Sequence, residues 1–268
     1  MNAGMKTKLL LFLFLLGAVL TVSAQPNFKT FTDITYKTGD TYTEERCVLN
    51  IRTPDQNGSF PVVIWFHGGG LTGGNKYFPK ELLYEEMVLV AANYRLSPKV
   101  EVKECIDDAA AAVDWVFRNI ESYGGNPEML IVSGHSAGGY LTLMVGLDKK
   151  YLKKYNRDAN EIRALFPFSG HTITHFTVRK ERGIPGTQPV VDEMAPLYHV
   201  RKDAPPLYLM TGDRDLEMLG RYEENAYMWR MMKVVGHDST YLFEFDGHKH
   251  GPMVGPGCHV LLNYIHEL

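Results

Sequence analysis

The residues with the clearest capacity for chemistry lie at 134–138, where the sequence reads Gly-His-Ser-Ala-Gly. An apolar, strand-like run at 129–133 leads into this pentapeptide, and a helix-like run at 140–145 follows it. A serine on such a sharp strand-to-helix turn is held in strained backbone geometry with its hydroxyl exposed, and glycines are needed where strand and helix pass close together. The pattern predicts that Ser136 is a nucleophile for acyl transfer; an ordinary glycine-rich connection is the alternative.

A run of glycines after the predicted strand at 61–66 is the second chemical feature. The sequence there is His67-Gly68-Gly69-Gly70. The N–H groups that such a tight turn exposes, together with that of Ala137, can surround an anionic oxygen. We therefore expect an oxyanion-binding loop, which His67 supports through hydrogen bonds rather than serving as a base. A merely flexible glycine loop is the alternative.

A serine nucleophile also needs a base and an acid that orients the base. Two aspartates, Asp213 and Asp215, follow the predicted strand at 206–210. We prefer Asp215 as the acid, because it lies far enough into the loop to turn back towards the serine. Asp213 is then expected to cap the loop or to pair with its arginine neighbour. Asp246 is a third candidate.

Two histidines compete for the role of the base. His248 and His250 follow the last predicted strand, at 241–245. We prefer His250, because it precedes a glycine at the start of the final helix, where a side chain can lean over the edge of the sheet. A His-x-His metal site is the alternative, but no third ligand with suitable spacing is evident.

A second histidine pair, His171 and His175, has the four-residue spacing of a helical zinc pair. The intervening residues lack the glutamate of the metalloprotease motif, so we interpret the pair as lining an insertion, with metal binding as the alternative. We predict neither a metal nor a cofactor for this chain.

The elements that must position these residues alternate between strands and helices. We predict strands at 28–36, 46–53, 61–66, 87–92, 129–133, 164–168, 206–210 and 241–245, and helices at 104–120, after the serine, and near 220–234 and 253–266. This alternation predicts an α/β fold, a mostly parallel central sheet covered by helices on both faces. Residues 171–198 break the rhythm and are expected to form a small insertion over the carboxyl edge of the sheet, where such sheets bind ligands.

The size and charge of the chain limit its class. With 268 residues, 45% of them hydrophobic, it is long enough for one catalytic domain of ordinary α/β size, which we place at 25–268. The formal charge is −3, and no Lys/Arg run is present, so a nucleic-acid partner is not expected.

The N-terminus has the pattern of a secretory signal peptide. Lys6 and Lys8 precede an apolar run at 9–20, and Ala24 ends a small-residue cleavage site. The run is short for a bilayer span, and no cysteine follows it for lipid attachment. We therefore predict that 1–24 is removed and that the protein is exported to the periplasm or the outside, without a stable membrane anchor. A membrane anchor is the alternative.

The three cysteines, Cys47, Cys105 and Cys258, are scattered along the chain. None belongs to a CxxC or metal-type cluster, so we expect small buried hydrophobes. A disulfide between two of them is left open.

Five motifs together resemble the α/β-hydrolases of the esterase/lipase branch, which includes hormone-sensitive-lipase-like and bacterial feruloyl-esterase-like enzymes. They cover roughly residues 45–260 and are His67-Gly68-Gly69-Gly70, Asn93-Tyr94-Arg95-Leu96-Ser97-Pro98, Gly134-His135-Ser136-Ala137-Gly138-Gly139, Gly212 with Asp215, and His250-Gly251. The resemblance implies a nucleophile, base and acid at Ser136, His250 and Asp215. It also implies an oxyanion hole formed by the N–H groups of Gly68, Gly69 and Ala137.

Two departures qualify the resemblance. Hormone-sensitive-lipase-like enzymes usually carry Asp where this chain has His135, and they have a substantial N-terminal cap, for which little sequence remains here. The chain is thus more similar to the smaller, more open feruloyl-esterase type.

The expected activity is hydrolysis of small-acyl or aryl esters through an acyl-enzyme, with esters on polysaccharides among the candidate substrates. A peptidase or amidase with the same triad, and a non-catalytic binding protein, are the alternatives. Tyr198, Trp229 and His171 are candidates for the pocket, or else ordinary core and surface residues.

Overall fold

The computed structural model describes residues 27–268 of the chain. Over that range eight strands form one sheet: β1 (Phe28–Thr35), β2 (Val48–Pro54), β3 (Phe60–Phe66), β4 (Val88–Ala92), β5 (Gly125–His135), β6 (Ala164–Phe168), β7 (Leu207–Gly212) and β8 (Thr240–Phe245). Their order across the sheet is β1-β2-β4-β3-β5-β6-β7-β8. β1 and β2 are antiparallel to their neighbours, and the other six strands are parallel. The predicted signal segment, 1–24, lies outside the described residues.

Seven α-helices occur in the same range: α1 (Thr41–Arg46), α2 (Val102–Asn119), α3 (Ala137–Leu147), α4 (Lys150–Lys153), α5 (Phe176–Glu181), α6 (Arg221–Val234) and α7 (Val254–His266). They cover both faces of the sheet. Side chains of α2, α3 and α6 pack on one face of the sheet, against strand residues that include Ile64, Val132 and Leu209. Side chains of α7 pack on the other face, against Trp65 and Phe166. Because neighbouring strand residues point to opposite faces, a sheet buried on both sides needs apolar residues at consecutive positions.

The predicted fold class is confirmed: every predicted strand is present, and the sheet is mostly parallel with helices on both faces. Helix α1 was not predicted. It has only six residues, too few for a periodic pattern, and it is stabilised by Asp40, whose side chain accepts a hydrogen bond of 2.7 Å from the N–H of Thr43. No helix among residues 27–268 is long and apolar enough to cross a membrane.

The three cysteines are buried, and none of them forms a disulfide in the part of the chain that the structure describes. Burial raises the pKa of the Cys47 and Cys105 thiols to about 12, so both are protonated at neutral pH. They occupy the hydrophobic core, as small apolar residues do.

The parallel strands bring their carboxyl ends to a single edge of the sheet. The segments that follow β3, β5, β6, β7 and β8 begin at His67, Ser136, Ser169, Asp213 and Asp246. Residues distant in sequence therefore meet at this edge, which is where open α/β sheets bind ligands.

Candidate active site

Ser136 occupies the sharp turn between β5 and α3. Its backbone has φ 58° and ψ −114°, a left-handed φ that a residue with a side chain adopts only at a cost. Its N–H donates a hydrogen bond of 2.7 Å to the carbonyl of Phe168 at the end of β6. The turn is thus held in a strained conformation by the neighbouring strand.

The glycines on either side of the serine are required by close contacts. A Cβ at Gly138 would lie 1.9 Å from the carbonyl oxygen of Phe66, and one at Gly134 would lie 2.6 Å from the carbonyl carbon of Gly138. Both distances are far below van der Waals contact, so any larger residue would push α3 away from the sheet.

The glycine loop after β3 lies directly against the serine. A Cβ at Gly68 would be 3.3 Å from the Cβ of Ser136. Within residues 27–268, the N–H groups of Gly68, Gly69 and Ala137 donate to no protein acceptor. Ala137 is also the first residue of α3, where the helix dipole favours negative charge. Gly68 and Ala137 therefore lie beside the serine, and the three amides predicted to bind an oxyanion are free of protein acceptors in this range.

The acid beside His250 is Glu217 rather than Asp215. The Nδ1 of His250 lies 2.6 Å from Oε1 of Glu217, whose side chain has no exposed surface. Asp215 is exposed, and its N–H donates to the carboxylate of Asp213. The prediction of Asp215 as the acid is therefore corrected.

The reason for this correction lies in the turn after β7. The backbone carbonyl of Asp213 accepts hydrogen bonds from the N–H groups of Leu216 and Glu217, which coils the chain into a tight turn. The carboxylate of Asp213 also accepts from the N–H of Gly247, and so anchors this turn to the loop that carries His250. The coiled turn directs the side chain of Glu217 towards His250, and it leaves the side chain of Asp215 in solvent.

The carboxylate of Glu217 is saturated with hydrogen bonds. Oε1 also accepts from the N–H of Met218, and Oε2 accepts from the N–H of Gly212 and from Oγ of Ser169. Burial opposes ionisation, but the hydrogen bonds from His250 and the neighbouring amide outweigh it and lower the pKa of Glu217 to about 2. The carboxylate is thus ionised at neutral pH, and it holds the proton of His250 on Nδ1.

With its proton on Nδ1, His250 has a free lone pair on Nε2, as a general base requires. Within residues 27–268 neither this nitrogen nor Oγ of Ser136 is engaged in a hydrogen bond with another protein group. Contacts between a nucleophile and its base are often long without substrate and tighten when it binds.

His135, which directly precedes the serine, connects the serine turn to His250. Its Nε2 donates a hydrogen bond of 2.8 Å to the carbonyl of His250, and the two rings lie 4.6 Å apart. Burial, with a smaller effect of His250, lowers the pKa of His135 to about 4, so it is neutral near pH 7. His248 lacks such a connection, and its ring bonds the carbonyl of Asp246.

Sequence reasoning missed Ser169 and Arg221. Ser169 has a left-handed φ of 48°, and its Oγ lies 2.8 Å from Oε2 of Glu217 and 2.9 Å from Nδ1 of His250. The buried guanidinium of Arg221 donates to the carbonyl of Ser169 and pairs with Glu224 at 2.9 Å. The available signal was that Ser169 directly follows a predicted strand at the catalytic edge.

The predicted histidine pair belongs to the same buried cluster. Nδ1 of His171 lies 2.8 Å from Glu224, which also accepts from the N–H groups of Thr172 and Ile173. The ring of His175 lies 4.8 Å from that of His171. No group of three or more His, Cys, Asp or Glu side chains within residues 27–268 is arranged to hold a metal ion.

The predicted insertion contacts the glycine loop. The hydroxyl of Thr177 donates a hydrogen bond of 2.6 Å to the carbonyl of Gly70, and the ring of Phe176 lies beside that glycine. The other pocket candidates differ in exposure: Tyr198 is 62% exposed, whereas Trp229 packs against the core.

The sheet order, the strained serine turn and the facing glycine loop define this protein as an α/β-hydrolase. A comparison with solved structures supports the fold: a truncated carbohydrate esterase from gut microbiota has a TM-score of 0.74 at 16% identity, covering 91% of this chain and 96% of that one. Esterase 2 of Thermogutta terrifontis, phosphonylated by sarin, has a TM-score of 0.72 at 20% identity, covering 89% and 94%.

Sequence comparison identifies the family. The BD-FAE family matches residues 49–220, more than half of the chain. The chain therefore belongs to the BD-FAE family of α/β-hydrolases.

The chain is also similar to known ester hydrolases. It is 29% identical over 185 residues to the probable carboxylic ester hydrolase LipM of Mycobacterium tuberculosis, covering 60% of this chain and 42% of that protein. It is 34% identical over 140 residues to carboxylesterase 1F of Mus musculus, covering 47% and 25%. The chain thus spans less than half the length of these relatives.

Proposed function

We propose that the protein is a serine carboxylester hydrolase that works through an acyl-enzyme, with Ser136 as nucleophile, His250 as base and Glu217 as acid. The observation that carries the proposal is the meeting of a strained serine, free backbone amides and a histidine locked by an ionised carboxylate at one edge of the sheet. The names of the relatives, carboxylic ester hydrolases among them, support the same reaction class.

In the first half-reaction, Oγ of Ser136 attacks the ester carbonyl while Nε2 of His250 takes its proton. The negative oxygen of the tetrahedral intermediate accepts hydrogen bonds from the amides of Gly68, Gly69 and Ala137, each worth about 3 kcal/mol to the transition state. His250 then gives its proton to the alcohol oxygen as the ester C–O bond breaks. Glu217 stays ionised throughout and stabilises the positive imidazolium.

In the second half-reaction, water adds to the acyl-enzyme carbonyl while Nε2 of His250 accepts its proton. The same amides hold the second oxyanion. His250 returns the proton to Oγ of Ser136 as the acyl bond breaks, which releases the carboxylic acid and restores the resting enzyme.

We propose further that the substrates are small-acyl or aryl esters, including esters on polysaccharides, and that the segment 1–24 directs export. The carbohydrate esterase among the structural neighbours supports the polysaccharide substrates. The two lysines and the apolar run at the N-terminus support export. A panel of p-nitrophenyl esters of rising chain length, beside acetylated xylan and feruloylated sugars, would identify the preferred acyl and alcohol groups.

The test of the reaction class is the S136A variant on p-nitrophenyl acetate, together with labelling by a serine-directed phosphonate. We expect S136A to reduce turnover to near background and to abolish a stoichiometric label present in the wild type. Full activity in S136A would refute the assignment of Ser136 as the nucleophile. A wild type that is neither active nor labelled would favour a binding protein, and preferential cleavage of p-nitroanilides would favour an amidase.

A further inference from the structure

Arg46, the last residue of α1, lies behind the glycine loop and is 8% exposed. Its Nε donates to the carbonyl of Tyr94 at 3.1 Å, and its two terminal nitrogens donate to Oδ1 of Asn75 at 2.7 Å and to the carbonyl of Gly74 at 3.1 Å. One terminal nitrogen also lies 3.5 Å from Nε2 of His67. Among residues 27–268 these partners are all uncharged, so Arg46 is a buried cation without a carboxylate.

The contacts of His67 determine where its proton resides. Its Nδ1 lies 2.6 Å from the carbonyl oxygen of Gly68, which can only accept a hydrogen bond, so the proton is on Nδ1. The lone pair of Nε2 then faces the guanidinium of Arg46, which can only donate. Burial, and to a lesser extent the charge of Arg46, lowers the pKa of His67 to about 4, so a second proton on Nε2 is excluded near pH 7.

This tautomer matters because the carbonyl of Gly68 and the N–H of Gly69 belong to one peptide unit. A trans peptide is planar, so its C=O and N–H point in opposite directions. When His67 holds the carbonyl on one side of the loop, the N–H of Gly69 is directed to the other side. Gly69 is one of the three amides assigned to the oxyanion.

The surrounding residues leave His67 little freedom to turn. Its ring stacks on that of Tyr94, with ring centroids 4.4 Å apart and ring planes 12° from parallel. The hydroxyl of Tyr94 donates a hydrogen bond of 2.8 Å to the carbonyl of His67. A Cβ at Gly74 would lie 2.4 Å from Nδ1 of His67 and 2.5 Å from the carbonyl oxygen of Gly68. Glycine at 74 is therefore needed to leave room for the bond between His67 and Gly68.

We infer that Arg46 is a positioning residue for catalysis: its guanidinium holds His67 in the Nδ1–H tautomer, and through the Gly68 carbonyl it aims the Gly69 amide at the oxyanion. This inference rests on the proposed function, since it assigns a role in the same oxyanion hole. Arg46 acts through His67 and does not itself contact the substrate.

The experiment compares R46M, R46K and the wild type on p-nitrophenyl acetate. We expect R46M to lower kcat roughly 10- to 100-fold, with KM changed by no more than about threefold. This fall in kcat is no larger than the fall expected when a whole oxyanion donor is removed. R46K keeps a buried positive donor and should recover part of the loss. R52M is the matched control, because Arg52 also donates to a backbone carbonyl, that of Leu83, but pairs with Leu89 near the amino end of β4, away from the carboxyl edge that carries the glycine loop. It should keep the wild-type kcat.

The direct readout is the tautomer of His67, measured from the ¹⁵N shifts of its ring in labelled protein. We expect Nδ1–H with an unprotonated Nε2 in the wild type, and a mixture of tautomers in R46M. A folded R46M with kcat within about twofold of the wild type would overturn the inference, as would Nε2–H in the wild type. If R46M does not fold, the kcat of R46K and the tautomer of His67 in the wild type decide whether the inference stands.

A failure of the proposed function is distinguishable from a failure of this inference. If the wild type shows no Ser136-dependent ester hydrolysis, the proposed function fails, whatever the tautomer of His67. If the wild type is active and the Arg46 variants behave as R52M does, only the role of Arg46 fails.

Discussion

The carboxylate of Glu217 lies 2.6 Å from Nδ1 of His250, and Asp215, two residues earlier, points to solvent. The carboxylate that pairs with His250 therefore belongs to a glutamate on the coiled turn after β7, and not to the aspartate predicted two residues earlier. The difference has a direct kinetic consequence.

We expect E217Q to reduce kcat roughly 10²- to 10⁴-fold, because a glutamine amide cannot stabilise the imidazolium and can hold His250 in the wrong tautomer. D215N is the matched control and should stay within about twofold of the wild type. Steady-state kinetics on p-nitrophenyl acetate measure both. A large loss in D215N with an active E217Q would reverse the assignment.

Glu217 should also make stability depend on pH. Its pKa is lowered from an ordinary value of 4.5 to about 2 in the folded protein, so the unfolded chain binds a proton more readily. The stabilising contribution is complete above about pH 4.5 and is lost as pH falls towards 2. Thermal unfolding of the wild type and E217Q between pH 6 and pH 3 checks this: the Tm difference between them should shrink on acidification. A constant difference would contradict it.

The contact between Gly138 and the Phe66 carbonyl predicts that G138A is severely damaging. The added Cβ would have to move α3 or β3, and we expect the free energy of unfolding to fall by about 3 kcal/mol with loss of activity. In the control, G186A, nothing lies within 4 Å of the new Cβ, and its free energy of unfolding should match that of the wild type. Denaturant unfolding followed by circular dichroism measures both. A G138A protein of wild-type stability would show that the turn is more tolerant than this geometry indicates.

Ser169 should tune the acid. S169A removes the hydroxyl that bonds Glu217, and we expect kcat to fall about tenfold, because a hydrogen bond to a charged group is lost. Ser133 offers a matched control, since it is also buried and its hydroxyl bonds a backbone carbonyl, that of Phe166. S133A is expected to lose some stability and to keep its kcat. Equal kcat values for S169A and the wild type would argue that Gly212 and Met218 suffice to hold the carboxylate.

Much of the fold was predictable, because buried parallel strands need continuous apolar runs and helices show their own period. The runs ending at Phe66 and Phe168 are examples. The position of Ser136 was predictable for a related reason: the glycines around it are dictated by close backbone contacts that allow few alternatives.

The carboxylate that pairs with His250 could not be chosen from the sequence, because the direction of each acidic side chain depends on how the loop after β7 coils. Hydrogen bonds from the Leu216 and Glu217 amides to the Asp213 carbonyl determine that coil, and no residue pattern predicts them. The roles of Ser169 and Arg46 were hidden for another reason. Each acts through contacts with residues far away in sequence, Glu217 and His67, which only the assembled sheet brings near.

The buried pairing of Arg221 with both Ser169 and Glu224 has a consequence for redesign. Glu224 holds the backbone at Thr172 and Ile173, where the insertion begins, while Ser169 holds the acid. An insertion transplanted from another hydrolase to change substrate range would therefore disturb catalysis unless its first residues still satisfy Glu224. The insertion and the carboxylate of Glu217 are thus mechanically linked through these contacts, and libraries that vary the insertion should keep positions 169, 221 and 224 constant.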